Sequence, residues 1–202
     1  MRDTVYFLVF DGFADWQAAL ALCEIRRPCD WRLQTVGFSV EPVTSMGGLH
    51  VLPDTSLAHI DASRAALLMI PGGHLWLRGE GDAAIAAIRE MHVAGVPVAG
   101  IDSGVLALAR ARLLDHCKHT GNWPGQIASQ VPGYLGTAHY DCEALAVSDG
   151  GVISASHLGS VEFAREVIRM LDLYSASDRE HWYRLFKHAQ LPPWCIGEAV
   201  AA

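Results

Sequence analysis

The chain has 202 residues and a formal net charge of −7, with 51% hydrophobic and 18% charged residues. This length allows one domain with a real core, and the composition is that of a globular protein and not of a disordered one. The negative charge argues against nucleic acid as a partner, and no apolar run of the sequence reaches the roughly 18 residues that a membrane span needs.

The first part of the chain alternates between strand and helix patterns. Continuous apolar runs of strand length are typical of strands buried on both faces of a parallel sheet, and apolar residues on one helical stripe indicate helices. In chain order these patterns predict a strand over residues 5–10, a helix over 14–26, a strand over 31–38, a turn at 47–48, a short extended piece over 50–52 and a strand over 65–70.

The second part continues the alternation and adds a hairpin. The patterns predict a helix over 82–93, a strand over 96–101, a helix over 103–114, a hairpin of 143–147 with 152–155 around Asp149-Gly150-Gly151, helices over 158–173 and 178–187, and a loosely ordered tail over about 191–202. No linker or repeat interrupts the chain. We therefore predict a single domain over residues 1–202, of the α/β class with a mostly parallel sheet.

Polar residues follow three of the predicted strands at their carboxyl ends. They are Asp11-Gly12, Pro71 to His74, and Asp102-Ser103. In such sheets ligands bind beyond the carboxyl ends of the strands, so we expect these stretches to meet at one rim. The third stretch lies in a strand-to-helix turn with glycines at both ends, Gly100 to Gly104, which we call the elbow. Asp102 occupies its tip.

Four stretches in this order are similar to one protein family. They read VYFLVFDGFADWQ, LLMIPGGHLW, VAGIDSGVLALARARLLDHCKHTGN and VISASHLGSVEFAREVIRMLDLYS. The chain resembles the DJ-1/PfpI (ThiJ) family, a branch of the class I glutamine amidotransferase-like proteins. The resemblance implies a flavodoxin-like, doubly wound fold with helices on both faces of the sheet, a nucleophile elbow and a homodimer. The closing WYRLFK resembles the ending of a bacterial subgroup.

The family pattern has a cysteine at the elbow tip and a glutamate in the first helix beside it. This chain has Asp102 and Gln17 at those positions, which puts the family's thiol chemistry in doubt. The two replacements look mutually compensating. A glutamine amide donates at any pH to a carboxylate, whereas a glutamate beside Asp102 would make two carboxylates that resist joint ionisation.

Four interpretations of Asp102 remain open. In the first, Asp102 is a helix N-cap in a non-catalytic ligand-binding or stress-associated homodimer, because Asp is a favoured N-cap residue. In the second, it is a nucleophile that forms an ester, with His74, His139 or His157 as the base. In the third, it orients or deprotonates water in a hydratase or lyase reaction. In the fourth, it is an engineered replacement, because a carboxylate mimics an oxidised cysteine in shape and charge.

The remaining site candidates surround the elbow. The N–H groups of Ser103 and Gly73 are expected to form an oxyanion hole. Other pocket candidates, with core packing or turn chemistry as their alternatives, are Gly72, His74, Trp76, His119 and Asn122.

The preferred function is a hydrolase or hydratase that uses Asp102 with Gln17 on a small carbonyl or isonitrile-like substrate. We expect no cofactor, because no nucleotide-binding glycine pattern is present, and no metal, because the ten histidines form no HExxH motif. The expected partners are a small molecule and a second copy of the chain, without nucleic acid or membrane. The five cysteines form no CxxC pair, so we expect reduced, mostly buried thiols in a cytoplasmic protein.

Overall fold

The computed structural model describes residues 2–27, 31–192 and Cys195. Its main sheet has seven strands in the order β5-β2-β1-β6-β7-β9-β8, and every pair is parallel except β8 with β9. The strands are β1 Thr4–Leu8, β2 Arg32–Gly37, β5 Thr55–Ser56, β6 Ala65–Ile70, β7 Val98–Ile101, β8 Ala146–Asp149 and β9 Val152–Ala155. A separate antiparallel hairpin pairs β3 Val43–Thr44 with β4 His50–Val51.

Helices cover the sheet in two groups. The first comprises α1 Ala19–Arg26, α6 Ser160–Met170 and α7 Ala176–His188, with α6 in contact with the other two. The second comprises α2 His74–Leu77, α3 Asp82–Val93, α4 Gly104–Arg110 and α5 Gln126–Gln130, with α4 in contact with the other three. This mostly parallel sheet with its helices confirms the predicted flavodoxin-like class. No helix in the described residues is long and apolar enough to cross a bilayer.

The central strands are buried because their side chains are mostly apolar on both faces. All residues of β1, β6, β7 and β9 are buried, in agreement with the continuous apolar runs of the sequence. These strands belong to one hydrophobic core, which also includes the buried faces of the larger helices. Because the four strands are parallel, their carboxyl ends lie at the same edge of the sheet.

Two predicted helices are shorter than the sequence pattern suggested. The helix expected from residue 14 begins at Ala19, because residues 14–18 form turns in which the Ala14 N–H donates to the Gly72 carbonyl. The helix expected to reach residue 114 ends at Arg110, and Arg112 takes a left-handed φ of 66°. The tail expected over 191–202 lies mostly outside the described residues.

The cysteines differ from the expectation of mostly buried thiols. Of the four described ones, Cys23, Cys142 and Cys195 are exposed, Cys117 is half-buried, and none forms a disulfide within the described residues. Burial raises the pKa of the Cys117 thiol. None of these cysteines lies at the elbow.

Candidate functional site

Asp102 lies at the tip of the elbow in a strained backbone conformation. Its φ is 57°, in the left-handed region that non-glycine residues rarely occupy. Its N–H donates to the Ala155 carbonyl of β9 at 2.9 Å, and its carbonyl accepts from the Val105 N–H at 3.1 Å. Hydrogen bonds to β9 and to the first turn of α4 therefore fix the backbone of Asp102, and its side chain takes no part in them.

Each carboxylate oxygen of Asp102 accepts a hydrogen bond from a side-chain amide. Gln17 Nε2 donates to Oδ2 at 2.8 Å, and Asn122 Nδ2 donates to Oδ1 at 2.6 Å. Both bonds are assisted by the charge of the carboxylate, and neither donor titrates. The two amides therefore hold Asp102 as an oriented anionic acceptor.

The two amides are themselves oriented by further hydrogen bonds. The Gly72 N–H donates to Gln17 Oε1 at 2.7 Å. The His157 N–H and its ring Nδ1 lie 2.9 and 3.0 Å from Asn122 Oδ1, so Nδ1 carries the ring proton. Because each amide oxygen is already engaged, each NH2 group must face Asp102.

Gly72 is required by the close approach of these groups. A Cβ atom at this position would lie 2.3 Å from Asp102 Oδ2 and 2.8 Å from Gln17 Oε1. Both distances are shorter than any real contact of a Cβ atom. The glycine therefore gives Gln17 and Asp102 the space to meet.

Ser103 and Gly73 bond to each other. The Gly73 N–H donates to Ser103 Oγ at 2.9 Å, and Ser103 Oγ donates to the Gly73 carbonyl at 3.2 Å. The Gly73 N–H is thus engaged within the protein, in contrast to its expected role in an oxyanion hole. The Ser103 N–H donates to no acceptor in the described part of the chain.

The interpretation of Asp102 as a helix N-cap is wrong. Helix α4 begins at Gly104, its N-cap is Ser103, and no side chain caps it. The carboxylate of Asp102 bonds to Gln17 and Asn122 instead of the first turn of the helix. Gln17 also differs from expectation, because it lies in the turn before α1 and not in the helix.

A cleft of about 270 Å³ opens beside the elbow and will be called the elbow cleft. Met46, Leu77 and Trp123 line it with apolar surface, together with the backbone of Gly73. Its polar lining residues are His74, Asp102, Ser103, Asn122, Gln126 and Gln130. No group of three or more His, Cys, Asp or Glu side chains suited to a metal ion lies within residues 2–27 and 31–192.

Two predicted pocket residues belong to the core instead. Trp76 is fully buried, packs edge-to-face on Phe10 and donates its ring N–H to the Pro71 carbonyl at 2.8 Å. His119 is fully buried and bonds through its ring nitrogens to the Cys117 carbonyl and the Tyr134 hydroxyl. Burial lowers the pKa of His119 and raises that of Tyr134 to about 12. Neither residue lines the elbow cleft.

Sequence reasoning missed several residues of the site. His157 was named only as a candidate base, and its bonds to Asn122 were not expected; its place after β9, at the carboxyl edge of the sheet, is the signal that could have indicated them. Met46 reaches the cleft from the turn of the β3–β4 hairpin. That turn is attached to the loop after β1, where Ser45 Oγ donates to Asp15 Oδ2 at 2.6 Å.

Comparison with known proteins gives one consistent result. The DJ-1/PfpI family model matches residues 3–170. A Bacillus subtilis relative with the name Uncharacterized protease YoaZ is 30% identical over 190 residues, which cover 91% of this chain and 90% of the relative.

Solved structures give the same answer. The DJ-1 superfamily protein Atu0886 from Agrobacterium tumefaciens has a TM-score of 0.85 and 31% identity, covering 93% of this chain and 100% of its own. A thiJ/pfpI family protein from Bacillus anthracis has a TM-score of 0.87 and 30% identity, covering 94% and 93%.

Proposed function

Because the chain belongs to the DJ-1/PfpI family, we propose that its elbow cleft binds a small molecule and that Asp102 is the charged acceptor for it. The observation that carries this proposal is the pair of amides on Asp102, from Gln17 at 2.8 Å and Asn122 at 2.6 Å. A carboxylate that served only to cap a helix would need neither amide. The pair keeps one acceptor fixed at the edge of a cleft.

Cysteine chemistry at the elbow is absent from this proposal because the elbow residue is an aspartate. Ester formation on Asp102 would need a base to release the product. Neither His139 nor His157 is among the lining residues of the cleft, which leaves His74 for that task.

A hydrolase or hydratase reaction is the second candidate. Here Asp102 would orient a water molecule, Gln17 would hold Asp102 in place, and the Ser103 N–H would stabilise a developing oxyanion. The Ser103 N–H, which donates to no described acceptor, favours this reaction. The name of the Bacillus subtilis relative, a protease, points to the same broad class of hydrolysis.

The test combines binding and turnover on the same protein. Ligand binding would be followed by NMR on the side-chain NH2 signals of Gln17 and Asn122, with a panel of small amines, amides, carbonyl compounds and acids. Turnover would be assayed with methylglyoxal, an isonitrile and a short peptide. Asp102→Ala is compared with Glu90→Gln, which removes one negative charge from an exposed position on α3.

Three outcomes distinguish the candidates. Binding that Asp102→Ala abolishes and Glu90→Gln preserves, without turnover, supports the ligand-binding function. Turnover that follows the same pattern supports the hydrolase or hydratase. If ligands shift neither amide signal and Asp102→Ala changes nothing, the proposed function is wrong.

A further inference from the structure

The charges that line the elbow cleft are unbalanced. Asp102 contributes a carboxylate, and the other polar lining residues are neutral amides, one hydroxyl and His74. No lysine or arginine is among the described residues that line the cleft. An anionic ligand would therefore meet a negative charge without a compensating cation, which is unfavourable in a partly enclosed site.

Asp102 still has acceptor capacity toward a ligand. An ionised carboxylate has about four lone-pair positions, and the amides of Gln17 and Asn122 take one on each oxygen. A ligand with two N–H groups could use the remaining positions. The fixed orientation of the carboxylate lowers the cost of ordering it when such a ligand binds.

Trp123 adds a second feature that attracts positive charge. It lines the same cleft as Asp102, and 53% of its surface is exposed. An indole face attracts cations through its quadrupole. An aromatic ring and a carboxylate in one cleft form a suitable site for an organic cation.

We propose that the ligand of the elbow cleft is a small organic cation with two N–H groups, of the amidinium or guanidinium class. This inference rests on the proposed function, because it assigns the chemical class of the molecule that Asp102 binds. The guanidinium or amidinium group would donate to Asp102 and lie against Trp123.

The test uses three probes of nearly the same shape and different charge, namely acetamidinium, acetamide and acetate. Each is titrated at pH 8 and 150 mM NaCl, and the side-chain NH2 signals of Gln17 and Asn122 are followed by NMR. The salt screens general attraction to a chain of net charge −7.

We expect acetamidinium to bind at least about tenfold more tightly than acetamide, and acetate to cause no shift. Trp123→Leu, at an exposed position, should weaken acetamidinium binding by about twofold to fivefold. Glu90→Gln should leave it unchanged. Asp102→Ala should abolish acetamidinium binding. The backbone NMR spectrum of this variant reports whether it is folded.

The possible failures are distinguishable. If acetamide or acetate binds as tightly as acetamidinium in an Asp102-dependent manner, the cation inference is wrong and the proposed function stands. If acetamidinium causes no shift up to about 100 mM ligand, the cation inference is also wrong. If it binds equally to Asp102→Ala and the parent, both proposals are wrong.

Discussion

At the scale of single residues, the amide of Gln17 makes a direct prediction. Gln17→Glu would place a second carboxylate at the position of Nε2, 2.8 Å from Asp102 Oδ2. Two carboxylates at that distance resist joint ionisation, so the folded variant retains a proton that the unfolded chain loses above about pH 4.3. Its free energy of unfolding, relative to the parent, should therefore fall as pH rises from 5 to 8.

Urea denaturation at several pH values measures this difference. Gln190→Glu is the matched control, because it makes the same chemical change at an exposed position after α7. The control should show no comparable pH dependence. A difference between Gln17→Glu and the parent that stays constant with pH would show that the two side chains do not face each other.

His119 gives a second prediction that depends on pH. Burial lowers its pKa below the ordinary 6.5, so below pH 6.5 the unfolded chain takes up a proton that the folded chain does not. The contribution of neutral His119 to stability is therefore present above pH 6.5 and is lost as the pH falls below it. His119→Gln should be less stable than the parent, by a margin that shrinks between pH 7.5 and 5.5.

The margin is obtained from urea denaturation of both proteins at pH 7.5, 6.5 and 5.5. Parent and variant are compared at each pH, so pH effects that both proteins share cancel. Parallel stability curves would contradict a buried, neutral His119.

At the scale of elements, the turn between β6 and α2 needs a glycine at position 72, because no side chain fits there. Gly72→Ala would place a methyl carbon 2.3 Å from Asp102 Oδ2, and either Asp102 or Gln17 must then move. We expect a loss of roughly 1–3 kcal/mol in the free energy of unfolding and the loss of acetamidinium binding. Urea denaturation and the NMR titration measure the two effects.

Gly121→Ala is the control for this substitution. A Cβ atom there would meet nothing closer than 3.7 Å, so the variant should unfold like the parent. Equal stability of the two alanine variants would show that Gly72 is not tightly enclosed by Gln17 and Asp102.

The comparison of predicted and observed elements shows where sequence patterns are reliable. Strand β6 and helix α3 have the predicted bounds. The strand is apolar throughout because it is buried within the sheet, and the helix is apolar along the one face that is buried. The start of α1 was wrong because its pattern continues through residues 14–18, where bonds to distant loops replace the helix. The small elements α2 and α5 were missed because they are too short to show a period.

The same physical reasons decide how much of the site could be predicted. The pair of Gln17 and Asp102 was implied by the resemblance to the family, residue chemistry indicated that donor faces acceptor, and the contact is observed at 2.8 Å. His119 was misplaced because a polar residue in a turn gives no sign that Cys117 and Tyr134 will satisfy its ring nitrogens in the core. The orientation of Asn122 by His157 joins residues 35 positions apart and has no local pattern.

At the scale of the whole molecule, one continuous core predicts one unfolding transition. Buried residues of the central strands and of helices from both groups belong to a single cluster, which includes Trp76 and Trp182. Unfolding in urea should therefore give the same midpoint by far-UV circular dichroism and by tryptophan fluorescence. Two separate midpoints would contradict the prediction of a single domain.

The homodimer implied by the family resemblance also stays a prediction at this scale. Large apolar side chains are exposed near the elbow cleft and elsewhere, including Trp16, Leu49 and Trp123. Contiguous exposed apolar surface is typical of protein interfaces. Analytical ultracentrifugation should give twice the chain mass of 21.9 kDa, and a mass of one chain at micromolar concentration would contradict the prediction.

The position of β9 between β7 and β8 has a consequence for biosynthesis. The Asp102 N–H donates to the Ala155 carbonyl, and His157 orients Asn122. Residues late in the chain therefore complete a site whose other residues are synthesised earlier. Proteins emerge from the ribosome with their N-terminus first. A nascent chain that has not yet exposed residue 157 contains Gln17, Gly72, Asp102 and Asn122, yet lacks the bonds from late residues that hold the Asp102 backbone and orient Asn122. Its ligand can therefore stabilise only the last stage of folding.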